Sequence, residues 1–546
     1  MSSDLSSSDL PQLPWYREMT RYHWFVFITC TLGWTFTGFD QQLLEPTTCF
    51  LLLGWAVGGI GFGILGDKYG RSRILPWTIL LYSMSTGLST LGAPLLFQFL
   101  AGVGLGGQFA VGVALVAETM PERVRPYALG TLFLFSVFGS MEAVVFSYPV
   151  WGLFPAVFVY FVIRYLDEPE KWKLAVRDED GGNKNAGSYH ELFGPVYGRC
   201  AVLGMILASV CVIGLWSIEV FSVALYRNVG CRLAVERLKA EGTTDIDFAM
   251  IAYLVRYPQI ADDTLGLDPK TLFGNEKNNG DARYLFEAIR ELRKRKKPKI
   301  TDQSVAEEAI NRWNLAEGNG RQTSAIPLNE VERRRTVFLE RIQYGAAHYR
   351  DLPKEPTSGQ ELWQMRKHQL ADYLRQIDKR TKLIEIEAES WDAMILPLTN
   401  IGAVFGIFSF IMITINLGWR ATFTIFLSTA TFLVIGVFMF AQTQWQIYVL
   451  ATLMGFCLPS LFGGCAIYLP ELFPTRIRST AIAVCYGTGF FLAACIPLVC
   501  VVLTKYVYAG CDEPIRWAGA TMSGVFPIGI AAVWMLQETK GKPLPE

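Results

Sequence analysis

Two octapeptides in this chain carry the same pattern, E-x-x-P-x-R-x-R, at Glu118-Thr-Met-Pro121-Glu-Arg123-Val-Arg125 and at Glu471-Leu-Phe-Pro474-Thr-Arg476-Ile-Arg478. Each follows a long apolar, glycine-containing stretch (Gly102, Gly104, Gly106 and Gly107 before the first, Gly455 before the second) and ends a few residues before another apolar stretch begins. A chain that repeats one polar hinge in one apolar setting is built from two like halves. Those halves belong in a bilayer: 51% of the 546 residues are hydrophobic and the mean hydropathy is +0.28, too apolar for a soluble protein of this size. About 20 apolar residues span the hydrocarbon core as a helix, and helix satisfies every backbone polar group internally.

Apolar runs predict twelve spans, at 22–44, 47–66, 74–92, 94–117, 127–147, 149–166, 199–226, 393–415, 419–440, 445–469, 480–503 and 516–536. The expected fold is an all-α membrane protein of two pseudo-symmetric six-helix lobes. The segments are a tail at 1–21, an N-terminal lobe at 22–166, a middle loop at 167–198, helix seven at 199–230, an insertion at 231–391, helices eight to twelve at 392–536 and a tail at 537–546. The Ser-rich first 20 residues lack the basic-then-apolar pattern of a secretory signal, so the first span itself directs insertion.

Charge is unevenly placed. Of the 98 Asp, Glu, Lys and Arg residues, 55 fall between Cys231 and Asp392, which marks a soluble insertion between spans seven and eight. Its segments at 282–297, 328–350 and 359–389 have helical spacing, with Leu362, Met365, Leu370, Leu374 and Ile377 on the last. The basic run Arg293–Lys299 reads as a solvated face, or as a site for anionic lipid or nucleic acid; the first is preferred and no nucleic-acid partner is expected.

Short loops on one side hold Lys68, Arg71, Arg73, Arg123, Arg125, Lys171, Lys173, Arg199, Arg420, Arg476, Arg478, Lys540 and Lys542, and on the other only Lys505 and Arg516. The basic side is expected to be cytoplasmic, with both termini there and the insertion outside, because long loops translocate regardless of charge. The eleven cysteines form no CxxC pair, so no metal site and no cofactor are indicated. A disulfide between Cys231 and Cys511, both on the outer side, stays open.

The loop after span two reads Gly63-Ile-Leu-Gly66-Asp67-Lys68-Tyr69-Gly70-Arg71-Ser72-Arg73. It resembles the major facilitator superfamily signature G-x-x-x-D-[RK]-x-G-R-[RK] and departs from it only at Ser72. The two E-x-x-P-x-R-x-R boxes, the stretch Glu168-Pro169-Glu170-Lys171-Trp172 and the tail Glu538-Thr539-Lys540-Gly541-Lys542 are similar to the sugar and organic-ion branches of that family. The resemblance covers nearly all of the chain outside the insertion. It implies a transporter that moves a small organic solute, a sugar or organic ion, by alternating access, with the solute site between the halves.

A gating role is expected for Asp67, Arg71, Arg73, Glu118, Arg123, Arg420, Glu471 and Arg476. Asp67 can sit at the positive end of a neighbouring helix, Arg71 and Arg73 can pair with Glu118, and Arg420 with Glu471. Breaking such pairs biases the equilibrium between outward-open and inward-open states; the plainer alternative is that these charges only set topology. The second half has no acid aligned with Asp67, since its loop reads Asn416-Leu-Gly418-Trp419-Arg420.

Candidate solute-cavity residues are Trp34, Thr37, Asp40, Gln41, Gln108, Glu142, Trp216, Glu219, Asn400 and Tyr486. Thr37-Gly38-Phe39-Asp40 resembles the D-G-x-D element of organic-acid and sugar porters with Thr37 in place of the first acid. Trp34, Thr37 and Gln41 share a helical face. Asp40, Glu142 and Glu219 would form an acidic outer vestibule, or snorkel to the outer interface. Asn400 and Tyr486 would add hydrogen bonds from the second half, or serve only as helix-packing glue. No Lys or Arg lies deep within a span, which favours neutral or cationic solutes. Gln98 and Gln108 stand where related porters commonly show Arg and Glu, so a coupling proton or cation and simple facilitated diffusion both stay open. The other readings are a non-transporting sensor or adhesion protein whose insertion contacts an extracytoplasmic partner, and an enzyme resting on His348 and His368 alone, which is set aside.

Overall fold

The computed structural model describes residues 15–43, 48–89, 93–145, 153–170, 172–173, 187–240, 394–511, 513–542 and 544–545. The first half contains α1 (Arg21–Leu43), α2 (Thr48–Tyr69), α3 (Arg71–Leu88), α4 (Pro94–Thr119), α5 (Arg125–Val145) and α6 (Phe154–Tyr165). After a single turn at Tyr189–Leu192 come α7 (Gly198–Ala240), α8 (Met394–Leu417), α9 (Trp419–Phe440), α10 (Gln444–Tyr468) and α11 (Arg478–Ala493). The chain ends with α12 (Ile496–Val502), α13 (Pro514–Met522) and α14 (Val525–Met535). Among the described residues, eight helical stretches are long and apolar enough to cross a bilayer.

Two expected spans are broken, and prolines explain both breaks. Proline has no N–H to give and its ring clashes with the carbonyl four residues back. The run expected at 480–503 stops at Ala493 and restarts as α12 with Pro497 in its first turn, and a π-helical turn, Leu503–Val507, follows. The run expected at 516–536 divides at Ser523 and Gly524, ahead of Pro527. Span seven is longer than expected: α7 continues past residue 226 to Ala240, 43 residues in all. The expected insertion segments 282–297, 328–350 and 359–389 lie outside the described residues.

The duplication read in the sequence is repeated in the packing. In the first half, Gly102 of α4 lies against the Leu51 carbonyl of α2, and Gly54 of α2 against the Phe99 carbonyl of α4. In the second half, Gly455 of α10 lies against the Thr399 carbonyl of α8, and Gly402 of α8 against the Thr452 carbonyl of α10. A methyl at any of the four would strike backbone, so small residues are what let these helices close up, as is common where lipid supplies no hydrophobic drive. The halves meet where α2 packs on α11, where α5 packs on α8 with Gly130 against Ile411, and where α4 meets α10.

Candidate functional site

At one end of the bundle α11 begins without a cap of its own. Its N-cap residue is Ile477, whose side chain makes no capping hydrogen bond. The missing acceptor comes from the other half. Asp67, at the end of α2, accepts from the Ser479 N–H (3.1 Å), the Thr480 N–H (2.8 Å) and the Thr480 hydroxyl (2.7 Å). A carboxylate on the first free amides of a helix satisfies orphan donors and faces the positive end of the helix dipole.

The same carboxylate accepts from Arg71 Nη2 at 2.8 Å, one turn further along the sequence. Arg71 bridges onward through Nη1 to Glu118 and through Nη2 to the Thr475 carbonyl at 2.6 Å. Glu118 accepts at its other oxygen from Arg478 Nη1 at 2.6 Å. Arg478 also donates to the carbonyls of Pro470 (3.0 Å), Phe473 (3.2 Å) and Pro545 (3.0 Å). All four charged side chains are buried. Two carboxylates and two guanidiniums balance in charge, and each charge holds several partners, the condition under which burying ions is tolerable. The Asp67–Arg71–Glu118–Arg478 chain therefore pins α2, α3 and α4 of one half to α11 of the other.

Two further carboxylates start helices from a distance. Glu168, after α6, accepts from the N–H groups of Arg71 and Arg73, both at 3.0 Å, at the start of α3. Glu538, after α14, accepts from the N–H groups of Trp419 and Arg420, both at 3.1 Å, at the start of α9. Each helix is preceded by a glycine at positive φ, Gly70 at 107° and Gly418 at 87°. A Cβ at Gly70 would collide with the Glu168 carboxylate, so glycine is required there both for its backbone angle and for the approach of the acid. Burial pushes the Glu168 carboxyl above its ordinary range, against the pull of the backbone N–H groups of Ser72 and Arg73.

Arg71 pairs with Glu118 as expected, and two of the expected pairings differ. Arg73 is exposed and makes no ion pair among the described residues; Arg478 takes the second place on Glu118. Arg420 does not reach Glu471: its guanidinium donates to the Leu536 carbonyl at 2.6 Å and lies over the Trp534 ring. Glu471 instead accepts from Trp419 Nε1 at 2.9 Å and from the Thr539 hydroxyl. Glu538 holds the Arg420 backbone, which directs its side chain toward the segment before the tail.

Arg123 and Arg476 sit at the rim, paired with Glu18 (2.7 Å) and Glu191 (2.6 Å) respectively. In each E-x-x-P-x-R-x-R box it is the second arginine that turns inward, Arg125 onto the Ala117 carbonyl at 2.8 Å and Arg478 into the ionic chain. The second arginine is the first residue of the following helix and so is held by it, a distinction the sequence reading, with spans starting at 127 and 480, did not make.

Deeper in the bundle the halves meet through aromatic rings. Trp34 (α1), Trp55 (α2), Phe109 (α4) and Phe133 (α5) face Phe462 (α10), Tyr486 and Phe490 (α11). Trp55 stacks on Phe490 with centroids 4.4 Å apart and planes 18° from parallel, while Phe109 meets Tyr486 edge-on at 4.6 Å. Trp34 and Tyr486, expected to face an open cavity, are packed in this cluster at 5% and 1% exposure, because the halves are closed on each other here. The Tyr486 hydroxyl donates to the Phe462 carbonyl at 2.6 Å. The indole N–H groups of Trp34 and Trp55 are buried without an acceptor among the described residues.

Gln108 is buried on α4 with its amide beside Gly33 of α1. Asn400 is buried on α8, its amide nitrogen without a partner among the described residues, and Trp216 is half-buried on α7. Thr37, Asp40 and Gln41 lie on α1, Glu142 on α5 and Glu219 on α7, and the side chains of all five fall outside the described ones. Trp55, Phe109, Phe133, Phe462 and Phe490 were not singled out from the sequence, where aromatic residues within apolar runs carry no mark separating core from lipid-facing positions. Cys511 is a free thiol among the described residues, and the Cys231 side chain lies outside them.

Residues 22–234 match a family model described as Major Facilitator Superfamily. Among curated proteins, a putative metabolite transport protein of Haemophilus influenzae is 33% identical over 187 residues, 28% of this chain and 46% of the relative. A probable 4-methylmuconolactone transporter of Cupriavidus pinatubonensis is 29% identical over 238 residues, 37% of this chain and 54% of the relative. The chain thus spans about half the length of these relatives. Among solved structures, a double-tryptophan mutant of XylE from Escherichia coli superposes with a TM-score of 0.50 at 12% identity, covering 96% of this chain and 98% of that one. That likeness speaks to the fold.

Proposed function

From the match of residues 22–234 to the Major Facilitator Superfamily, we propose that this chain is a member of that family and a secondary transporter, with no bond made or broken, that carries a small organic solute across a membrane by alternating access. The reading takes the bundle as twelve transmembrane helices in two six-helix lobes, with both termini cytoplasmic and the insertion outside. The observation that carries it is the buried, charge-balanced chain Asp67–Arg71–Glu118–Arg478, which joins the lobes at the end assigned to the cytoplasm. Such a linkage is unnecessary in a static anchor. In a rocking pair it sets the population of the state closed on that side, since the groups must separate and rehydrate when the lobes part.

Solute would bind between the lobes, where Trp34, Tyr486 and Asn400 stand, and reach that level from outside past Asp40, Glu142 and Glu219. Arg123 and Arg476, paired at the rim, would close over the ionic chain. The test is uptake of labelled sugars, organic cations, carboxylates and neutral aromatic amides by proteoliposomes holding the full chain. Concentrative or equilibrative uptake that saturates supports the reading; no saturable flux of any class, from protein that keeps its fold, overturns it. A variant lacking residues 235–388 that still carries solute would show the insertion to be accessory.

A further inference from the structure

The aromatic cluster between the halves has two properties beyond packing. First, its rings come from both halves, so any motion that separates α2 from α11 must open the Trp55–Phe490 stack. Second, it holds two hydrogen-bond donors with no acceptor among the described residues: Trp34 Nε1 and Trp55 Nε1, on side chains 5% and 2% exposed. Buried indole N–H groups ordinarily find an acceptor, and leaving one unmet costs the full desolvation of the group. Two such donors, on rings whose centroids are 6.3 Å apart, mark a place where an acceptor is missing. The basic residues of the helices concerned, such as Arg125 and Arg478, stand at the helix ends. An anion here would be buried without a counter-charge.

Resting on the transporter reading above, we propose that this cluster seats the solute and selects an uncharged, planar aromatic or heteroaromatic ring carrying one or two acceptor atoms. The ring enters between Trp55 and Phe490 as their stack opens from 4.4 Å to about 7 Å, two ordinary van der Waals gaps. Its acceptor takes the N–H of Trp34 or Trp55. A flat ring restores a π-stacked neighbour to each face that opening exposes. Phe109, Phe133 and Phe462 close the edges by tilted and edge-to-face contacts, the arrangement favoured by the ring quadrupole.

The test uses the full chain in lipid nanodiscs, with binding followed by calorimetry for benzamide, cyclohexanecarboxamide and benzoate. Benzamide is expected to bind at least ~10-fold more tightly than its saturated or anionic counterpart. Trp34→Phe and Trp55→Phe keep a ring and remove only the donor, and at least one should weaken benzamide by ~10-fold, the scale of one neutral hydrogen bond. Phe490→Leu should erase the preference for the flat ring. The proposal is overturned if the saturated amide binds as well as benzamide, if benzoate binds more tightly, or if both Trp→Phe variants bind like the wild type. Proteoliposome flux separates this from the broader reading. A carried sugar or organic cation with no benzamide binding sinks the aromatic site alone, whereas benzamide binding with no flux of any solute sinks transport and leaves the site.

Discussion

Replacing Asp67 by asparagine changes one oxygen for an NH2 group and should loosen the junction between the halves. In the wild type the two carboxylate oxygens take four donors, from Arg71 Nη2, the Ser479 and Thr480 amides and the Thr480 hydroxyl. Asparagine keeps one acceptor oxygen and turns two hydrogens toward donors, so about half of those bonds are lost. Hydrogen bonds to a charged group contribute about 1.5–3 kcal/mol each, which puts the cost at about 3–5 kcal/mol, the scale of removing one member of a buried ion pair. The remaining cluster, Glu118 with Arg71 and Arg478, carries an uncompensated positive charge. A shift of about 3 kcal/mol is roughly a hundredfold in the closed-to-open ratio. Amide hydrogen exchange reads it directly, because the Ser479 and Thr480 N–H groups are protected by Asp67 itself. Peptides covering the first turn of α11 should exchange roughly a hundredfold faster in Asp67→Asn, while those from α14 stay unchanged. Exchange within threefold of wild type in the first turn of α11 would refute the reasoning.

Gly70→Ala and Gly418→Ala should both lower the melting temperature, by about 1–3 kcal/mol of strain each. The loss should be larger at Gly70, where the new methyl also displaces Glu168; equal melting of all three proteins would count against the cap geometry. Arg123→Ala and Arg476→Ala remove exposed pairs and should cost under about 1 kcal/mol in denaturant melts, against about 3–5 kcal/mol for Arg478→Ala. Comparable losses would mean that the ionic chain is not special. Glu168 binds its proton more tightly in the fold than in the free chain, so its contribution is full below the ordinary glutamate range and is lost as pH rises through the raised value. Glu168→Gln should flatten that fall, and a pH–stability profile superimposable on the wild type would exclude the linkage.

What the sequence made legible was whatever repeats or alternates. The duplicated E-x-x-P-x-R-x-R boxes anticipated two like halves, and apolar runs bounded by charge located the helices through α10. It was less informative where a single proline decides the outcome, as at Pro497 and Pro527, since apolar character continues unbroken across both. The site divides the same way. Asp67, Arg71 and Glu118 could be named because their spacing places them at helix ends on one side. Arg73 and Arg420 were assigned partners they do not have, because sequence gives the end of a side chain's tether and not its direction. The tethers here are set by Glu168 and Glu538, whose action as helix caps spans 97 and 118 residues respectively. The aromatic cluster left no trace, since its members are ordinary residues of apolar runs.

The capping of α11 by Asp67 makes the two halves unequal. A freshly duplicated lobe must start every helix with its own residues, yet Ile477 has given up that duty to a carboxylate more than 400 residues away. Once such borrowing is in place, the C-terminal lobe produced alone would expose bare amides at the threshold of its central helix. The two halves are thereby tied at a helix start as well as through their packed faces.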